Sequence, residues 1–301
     1  MVHWDDVEAV RREEGFIGAT WRPLGWETDC SRIGVNRIDM APREIPTPPH
    51  VHHDEEEIHF VLSGSGLSWQ DGKTYAIGAG DVLVHRVNEE AHTLRAGDDG
   101  LSVLAFGQRG RSWGATLPRS SARWARPGWV EANPGDNPWL REAALGPPDF
   151  PEPEPERPDT IRRVADADAF FDGALRALTP YGLTERTGLN HVTLAAGATA
   201  APRHAHSTEE ELYVVLDGEG TLYLGDEEHP VRGGHLIAFP SGSRIAHGIR
   251  GGEEGLTFLA YGERRSDDLV FYPTSGRVLI RGIGVVTELE SLPYPAEPDL
   301  F

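Results

Sequence analysis

Short apolar segments, each closed by Gly, Pro, Asn or Asp, run along the whole chain. Ile33–Ala41, Ile58–Leu62, Asp81–His85 and Leu101–Phe106 are rich in β-branched and aromatic residues. Such segments suit a pleated, half-buried surface, and their close spacing with Gly punctuation predicts an all-β sandwich or barrel. Helical signals are weak and confined to the flanks. They fall at Asp5–Glu14, Pro138–Leu145 and Ala165–Ala177, the first and last with acidic residues in the opening turn.

The segments repeat. HVHHDEEEIHFVLSGSG at 50–66 returns as HAHSTEEELYVVLDGEG at 204–220, a shift of 154 residues. IGVNRIDMA at 33–41 pairs with TGLNHVTLA at 187–195, and LSVLAFGQR at 101–109 with LTFLAYGER at 256–264. Three matches in one order mean a duplicated unit. Between the copies, GPPDFPEPEPERPD at 146–159 combines prolines, which remove backbone donors, with mutually repelling acids, and reads as an extended linker. The expected organisation is therefore a first domain at 1–145, the linker at 146–159 and a second domain at 160–301. A chain of 301 residues is long enough for two such cores.

Composition narrows the partners. The 48 acidic residues against 28 basic ones leave a net charge of −20, which repels a phosphate backbone, and no basic patch offsets it. Nucleic acid is thus excluded as an expected partner. No apolar run approaches the roughly 20 residues of a membrane span, so no membrane partner is expected either. The charged start MVHWDDVEAVRREEG lacks the features of a signal peptide, and the single Cys30 agrees with a reducing compartment. A cytoplasmic location is expected.

The candidate chemistry sits in the repeated block. His50 and His52 are two apart and share one face of a strand, roughly 6.5 Å apart along the chain. Glu57 follows, and His92 arrives after the Asp81–His85 segment and its turn. The second copy supplies His204, His206, Glu211 and His247 in the same order. Three imidazoles and a carboxylate form a nitrogen and oxygen site with positions left open for a five- or six-coordinate ion. Manganese or iron suits such a set, with nickel, cobalt, zinc or copper as alternatives. Neighbouring Glu55, Glu56, Glu209 and Glu210 compete for the same role.

Here the sequence resembles the cupin superfamily. The first cupin motif combines His-x-His, a glutamate and, six residues on, a glycine; His50, His52, Glu57 and Gly64 fit it, as do His204, His206, Glu211 and Gly218. The spacing to the glycine selects Glu57 and Glu211 among the competing acids. The second motif is met by Gly234, Pro240, Gly242 and His247, whereas the first copy carries Arg86 and Asn88 where Pro and Gly are expected. Arg43 likewise replaces the leading Gly197. Asn tolerates the left-handed turn conformation, so the turn is expected to survive, though looser. The resemblance implies two tandem jelly-roll barrels (double-stranded β-helices), a metal inside each, and homo-oligomers as an option.

Alternation from Glu57 and Glu211 puts His59 and Tyr213 on the metal's face as candidate catalytic residues, with Ile58, Phe60 and Leu62 pointing the other way. His85 aligns with Phe239. Arg95, Arg250, Arg37 and His191 are expected outside, and His3, His53, His229 and His235 at the surface. The resemblance implies a metal-dependent enzyme on a small oxygenated substrate. A dioxygenase-like oxidoreductase on an aromatic or enolic compound comes first; the alternatives are a decarboxylase of an organic acid and a non-catalytic cupin that binds a sugar or a metal. The first site, with His59 and His85 where the second has Tyr213 and Phe239, is expected to react.

Overall fold

The computed structural model describes residues 1–109, 114–125, 128–130 and 137–288; the stretch 289–301 of the expected second domain lies outside them. The first half builds one eight-stranded antiparallel sheet. Its order is Ile161–Arg163, Asp81–His85, Glu57–Gln70, His92–Gln108, Ile33–Met40, Ile17–Arg22 and Val10–Glu14, with Lys73–Gly78 on Glu57–Gln70. The second half repeats it as Val2–His3, His235–Phe239, Glu211–Leu224, His247–Glu263, Thr187–Leu194, Leu175–Ala177 and Asp168–Phe170, with Glu227–Arg232 alongside Glu211–Leu224. A smaller four-stranded sheet accompanies each, through Val51–His52 in one half and Ala205–His206 in the other. The fold is all-β, two jelly-roll barrels in tandem.

The long central strands bend where the motif glycines stand. Gly64 has φ +80° and Gly218 φ +78°, and a Cβ at either would collide with the carbonyl of Gly100 or Gly255. The ladder slips at these points, which curls one strand into a barrel wall. The divergent turns keep their shape. Asn88 (φ 60°) takes the left-handed conformation of Gly242 (φ 67°), and Arg43 (φ 67°) that of Gly197 (φ 70°). The first-copy turn is not looser, because the Asn88 N–H donates to the His52 carbonyl at 2.8 Å and its side chain bonds His53.

Two of the three helical expectations are overturned. Asp5–Glu14 holds a 3-10 turn at Trp4–Asp6 and then strand Val10–Glu14, which turns through Gly15 to pair with Ile17–Arg22. Ala165–Ala177 is likewise a 3-10 turn, Val164–Asp166, followed by the hairpin Asp168–Phe170 and Leu175–Ala177. An acidic first turn starts a helix only where no open sheet edge competes for the backbone. The third, Pro138–Ala144, is helical, with the Asn137 side chain accepting from the Trp139 N–H at 3.0 Å and Pro in the first turn.

The two barrels exchange their leading strands. Val2–His3 pairs with Leu236 and His235 of the second barrel, and Ile161–Arg163 with Leu83, Val82 and Asp81 of the first. The Trp4 N–H reaches the Gly234 carbonyl as Val164 reaches Gly80. His3 is therefore buried against Gly233 rather than at the surface. The linker is pinned: Asp149 and Pro151 carbonyls accept from Trp69 and Thr74, and Phe150 packs on Arg95.

Apolar residues divide between three cores. Ile38, Val61, Leu83, Leu94 and Val103 fill the first barrel, and Val192, Val215, Ile237, Ile249 and Phe258 the second. Ile58, Phe60, Leu104 and Phe106 leave the first barrel's outer face and meet Leu212, Val214, Leu259 and Tyr261 in a shared third core. Cys30 lies in it, its thiol pushed up to about 12 by burial, which makes it inert.

Glu56 and Glu210 lock this interface reciprocally. Glu56 accepts from the backbone N–H groups of Glu185, Arg186 and Thr187 at 2.6 to 3.2 Å, and Glu210 from those of Ser31, Arg32 and Ile33 at 2.8 to 3.3 Å. These acids, competitors for the metal on sequence grounds, face the other barrel instead. Glu56→Ala strands three N–H groups at a buried interface and is expected to lower stability by about 3 kcal/mol, with Glu56→Gln losing about half. Urea midpoints at constant slope measure this; an unchanged midpoint would mean that the apolar core alone joins the barrels.

Candidate metal centres

Sheet pairing brings the first and third histidines together. His50 and His92 exchange backbone hydrogen bonds at 3.1 and 3.0 Å, as His204 and His247 do at 3.0 and 2.8 Å. His52 and His206 lie two residues on, and Glu57 and Glu211 open the adjacent central strands. In each barrel one ligand atom from each of the four residues lies within 4.8 Å of all the others. His50 Nε2 is 3.1 Å from His52 Nε2, and His92 Nε2 is 3.1 Å from Glu57 Oε2. His247 Nε2 and Glu211 Oε2 are also 3.1 Å apart. Three imidazole nitrogens and a carboxylate oxygen thus converge on one point in each barrel, and this donor set fits a divalent ion.

The rings are oriented from behind, as metal-binding histidines usually are. The Nδ1 of His50 faces the Pro48 carbonyl at 2.9 Å and that of His204 the Pro202 carbonyl at 2.8 Å, which turns each Nε2 inward. The second histidine is held differently in the two barrels. His52 Nδ1 pairs with Glu55 at 2.7 Å, whereas His206 Nδ1 pairs with Asp268 at 2.8 Å, and the Glu209 equivalent of Glu55 turns to Arg281. Nothing in the repeat pointed to Asp268.

Electrostatics favour the ligand forms. Burial, aided by neighbouring imidazoles, drives His50 and His92 well below the usual histidine range and His204 to about 4, leaving all three neutral. Burial alone would raise Glu57, but interactions with His59 and His52 and hydrogen bonds from His52 and His92 hold it well below the carboxylate range. Against burial, Glu55 and Glu57 lift His52 to about 10, so its proton must leave when an ion binds.

His59 and Tyr213 occupy equivalent places beside the glutamates. His59 Nε2 lies 3.4 Å from Glu57 Oε2, and its Nδ1 is buried without a hydrogen-bond partner. Burial lowers His59, outweighing the pull of Glu57, so the ring is neutral at pH 7. Burial and Glu211 push Tyr213 well above the usual phenol range. His85 and Phe239 both face the site, stacked on the third histidine at 3.7 Å and 3.8 Å between ring centroids. His85 Nδ1 meets Glu90 at 2.8 Å, and burial raises that carboxyl to about 7.

Glu90 gives a stability signature. Its folded value lies above the unfolded one of about 4.3, so the folded state holds the proton more tightly. That stability is complete below about pH 4 and is lost as pH rises through about 7. Glu90's share of the stability of the metal-free protein is expected to fall by about 1 to 2 kcal/mol between pH 5 and pH 8, read as the difference between the unaltered protein and Glu90→Gln in urea titrations at each pH.

The first barrel opens a walled cavity onto its cluster. About 280 Å³ in volume, it reaches His50, His52, Glu57, His92 and His59. Its other walls are mostly apolar, among them Trp21, Ile38, Leu94, Leu117 and Trp139. The cavity touching His206 and Glu211 is wider, about 400 Å³, and is shared with the polar interface residues Glu210, Glu263 and Arg264. Arg12, Trp21 and Trp139 were missed in the sequence, the first because its segment carried a helical signal. No helix among the described residues is long and apolar enough to cross a membrane.

Among solved structures the chain is similar to a point mutant of oxalate decarboxylase from Bacillus subtilis, with 15% identity and a TM-score of 0.61 over 89% of this chain and 78% of that one. A structure of the same enzyme, described for its Mn(II) centres, gives 14% identity and a TM-score of 0.59 over the same shares. Protein Ylba from E. coli gives 15% and 0.60 over 87% of this chain and 89% of its own. At such identities the likeness establishes the fold. No curated protein matches the chain. The family model described as "Cupin domain" matches twice, at residues 36–106 and 190–260, once on each barrel and its ligand cluster. The same motif thus closes around the same four ligands in both halves, and the chain belongs to the cupin superfamily as a protein of two tandem cupin domains.

Proposed function

We propose that the protein is a metal-dependent enzyme whose reaction takes place in the first barrel, a dioxygenase-like oxidation of a small aromatic or enolic compound. The observation that carries this reading is the cavity that joins an apolar, tryptophan-bearing wall to the four-ligand cluster and His59. A ring-sized ligand suits its volume, which is at the small end for ligand pockets. Manganese or iron held by His50, His52, Glu57 and His92 would supply polarisation of a carbonyl or enolate and access to dioxygen.

The chain's own residues supply the rest. His59 lines the cavity as a neutral imidazole and takes the substrate's hydroxyl or enol proton as the substrate binds as an anion. Tyr213, protonated throughout the physiological range, donates a hydrogen bond to Glu211 and serves the second site structurally. The apolar wall excludes water from the anion. Metal analysis followed by oxygen uptake on phenolic, diketone and organic-acid panels tests the reading: oxygen consumption with a phenol or diketone supports it.

A second reading, decarboxylation of an organic acid, is favoured by a cation at the cavity wall, Arg12, and by the oxalate decarboxylase fold likeness. Carbon dioxide release without net oxygen uptake would select it. Neither gas changing with any panel would leave a non-catalytic binding protein.

A further inference from the structure

Arg12 is the only arginine or lysine among the described residues that line the first cavity. Strand Val10–Glu14 places it opposite Ala19, two pairs from Val10 and Trp21 and on their face of the strand, and its guanidinium carbon lies 5.1 Å from the Trp21 ring centre. Arg11, facing the other way, is tied to Glu44 and Glu13. Among the described residues no carboxylate pairs with Arg12, in a chain with 48 acids. The cavity's two carboxylates are engaged elsewhere: Glu55 holds His52 and Glu57 belongs to the ligand cluster. The Arg12 side chain is exposed at the cavity's edge, open to a ligand. A guanidinium on the cavity wall with no carboxylate partner is the complement of an anion.

Among the described residues the second barrel has no counterpart. Its hairpin pairs Phe170 with Leu175 where the first pairs Val10 with Trp21, and the chain then turns at Phe171–Gly173 before reaching an equivalent of Arg12. The longer hairpin and its arginine belong to the first barrel alone.

We propose that the first cavity selects an aromatic ring carrying a carboxylate, with Arg12 as the specificity residue that meets the anion and the tryptophan-bearing wall receiving the ring. This rests on the first cavity being the substrate site. A guanidinium–carboxylate pair is planar and bidentate, which fixes the ring's direction as well as its charge.

The test is calorimetric titration of the metal-loaded protein at pH 6.5 with salicylate and with salicylamide, its neutral isostere. Salicylate is expected to bind about tenfold more tightly, the equivalent of about 1.4 kcal/mol. Arg12→Gln is expected to remove the preference at unchanged metal content, and Arg12→Lys to keep part of it. Equal binding of the two ligands by the unaltered protein, a preference that survives Arg12→Gln, or no binding of either would overturn the proposal. Leu117→Trp, which fills the cavity, separates the two levels. If it abolishes binding of both ligands while the preference is absent, the cavity reading stands and the Arg12 assignment falls. If both ligands still bind Leu117→Trp protein, the cavity is not the site and the functional reading falls with it.

Discussion

Replacing His50 and His52 together by alanine is expected to remove about one metal ion per chain and to abolish turnover, while the second barrel keeps its ion. Two of four ligands vanish, and the carboxylate and imidazole that remain, Glu57 and His92, pair with each other at 3.1 Å. His204 with His206 replaced is expected to lose the other ion, with turnover reduced far less. The folds should survive, because His50 and His204 contribute to the ladder through backbone groups that alanine retains. Metal content per chain by elemental analysis reads the outcome. A protein with all four histidines replaced that kept its full metal content would show that the ions sit elsewhere.

His59→Ala is expected to lower turnover by the roughly 10²-fold that loss of a general base costs, with metal content unchanged. The ring meets the cluster at 3.4 Å from Glu57 and edge-on to His92 without being one of the four ligands, so removing it leaves all four in place. Tyr213→Ala should cost turnover much less. Its larger effect should be on stability, by about 3 kcal/mol, since Tyr213 packs on Phe239 and Phe258 at 4.8 Å in the second core. Kinetics on both variants, each with its metal measured first, decide between the barrels. Loss of activity in Tyr213→Ala with His59→Ala intact would reverse the assignment.

The two four-residue clusters were legible in the sequence because a shared ion would dictate which residue types converge and in what order. Duplication then wrote the order twice. The face of His59 and Tyr213 followed from strand alternation alone. The helical expectations at Asp5–Glu14 and Ala165–Ala177 failed because an acidic opening turn is local, whereas both segments complete sheet edges set by distant strands. The exchange of Val2–His3 and Ile161–Arg163 is carried by backbone pairing, which leaves no side-chain signature.

Glu56 and Glu210 show a different limit. Each stands beside a ligand glutamate, and alternation turns it through the sheet to the opposite barrel, where its partners are backbone N–H groups that any residue offers. Asp268 escaped notice because it lies 62 residues from the His206 it orients, outside both motifs. Arg12 gained meaning only when its strand was seen to edge the cavity.

The account rests most on one ion in each barrel, and anomalous diffraction at the metal edge from crystals of the manganese- or iron-loaded protein tests that directly. Two peaks per chain are predicted, each about 2.0 to 2.3 Å from three histidine Nε2 atoms and one glutamate oxygen: His50, His52, His92 and Glu57 in one barrel, His204, His206, His247 and Glu211 in the other. A peak missing from either cluster, or one centred on other residues, would contradict it.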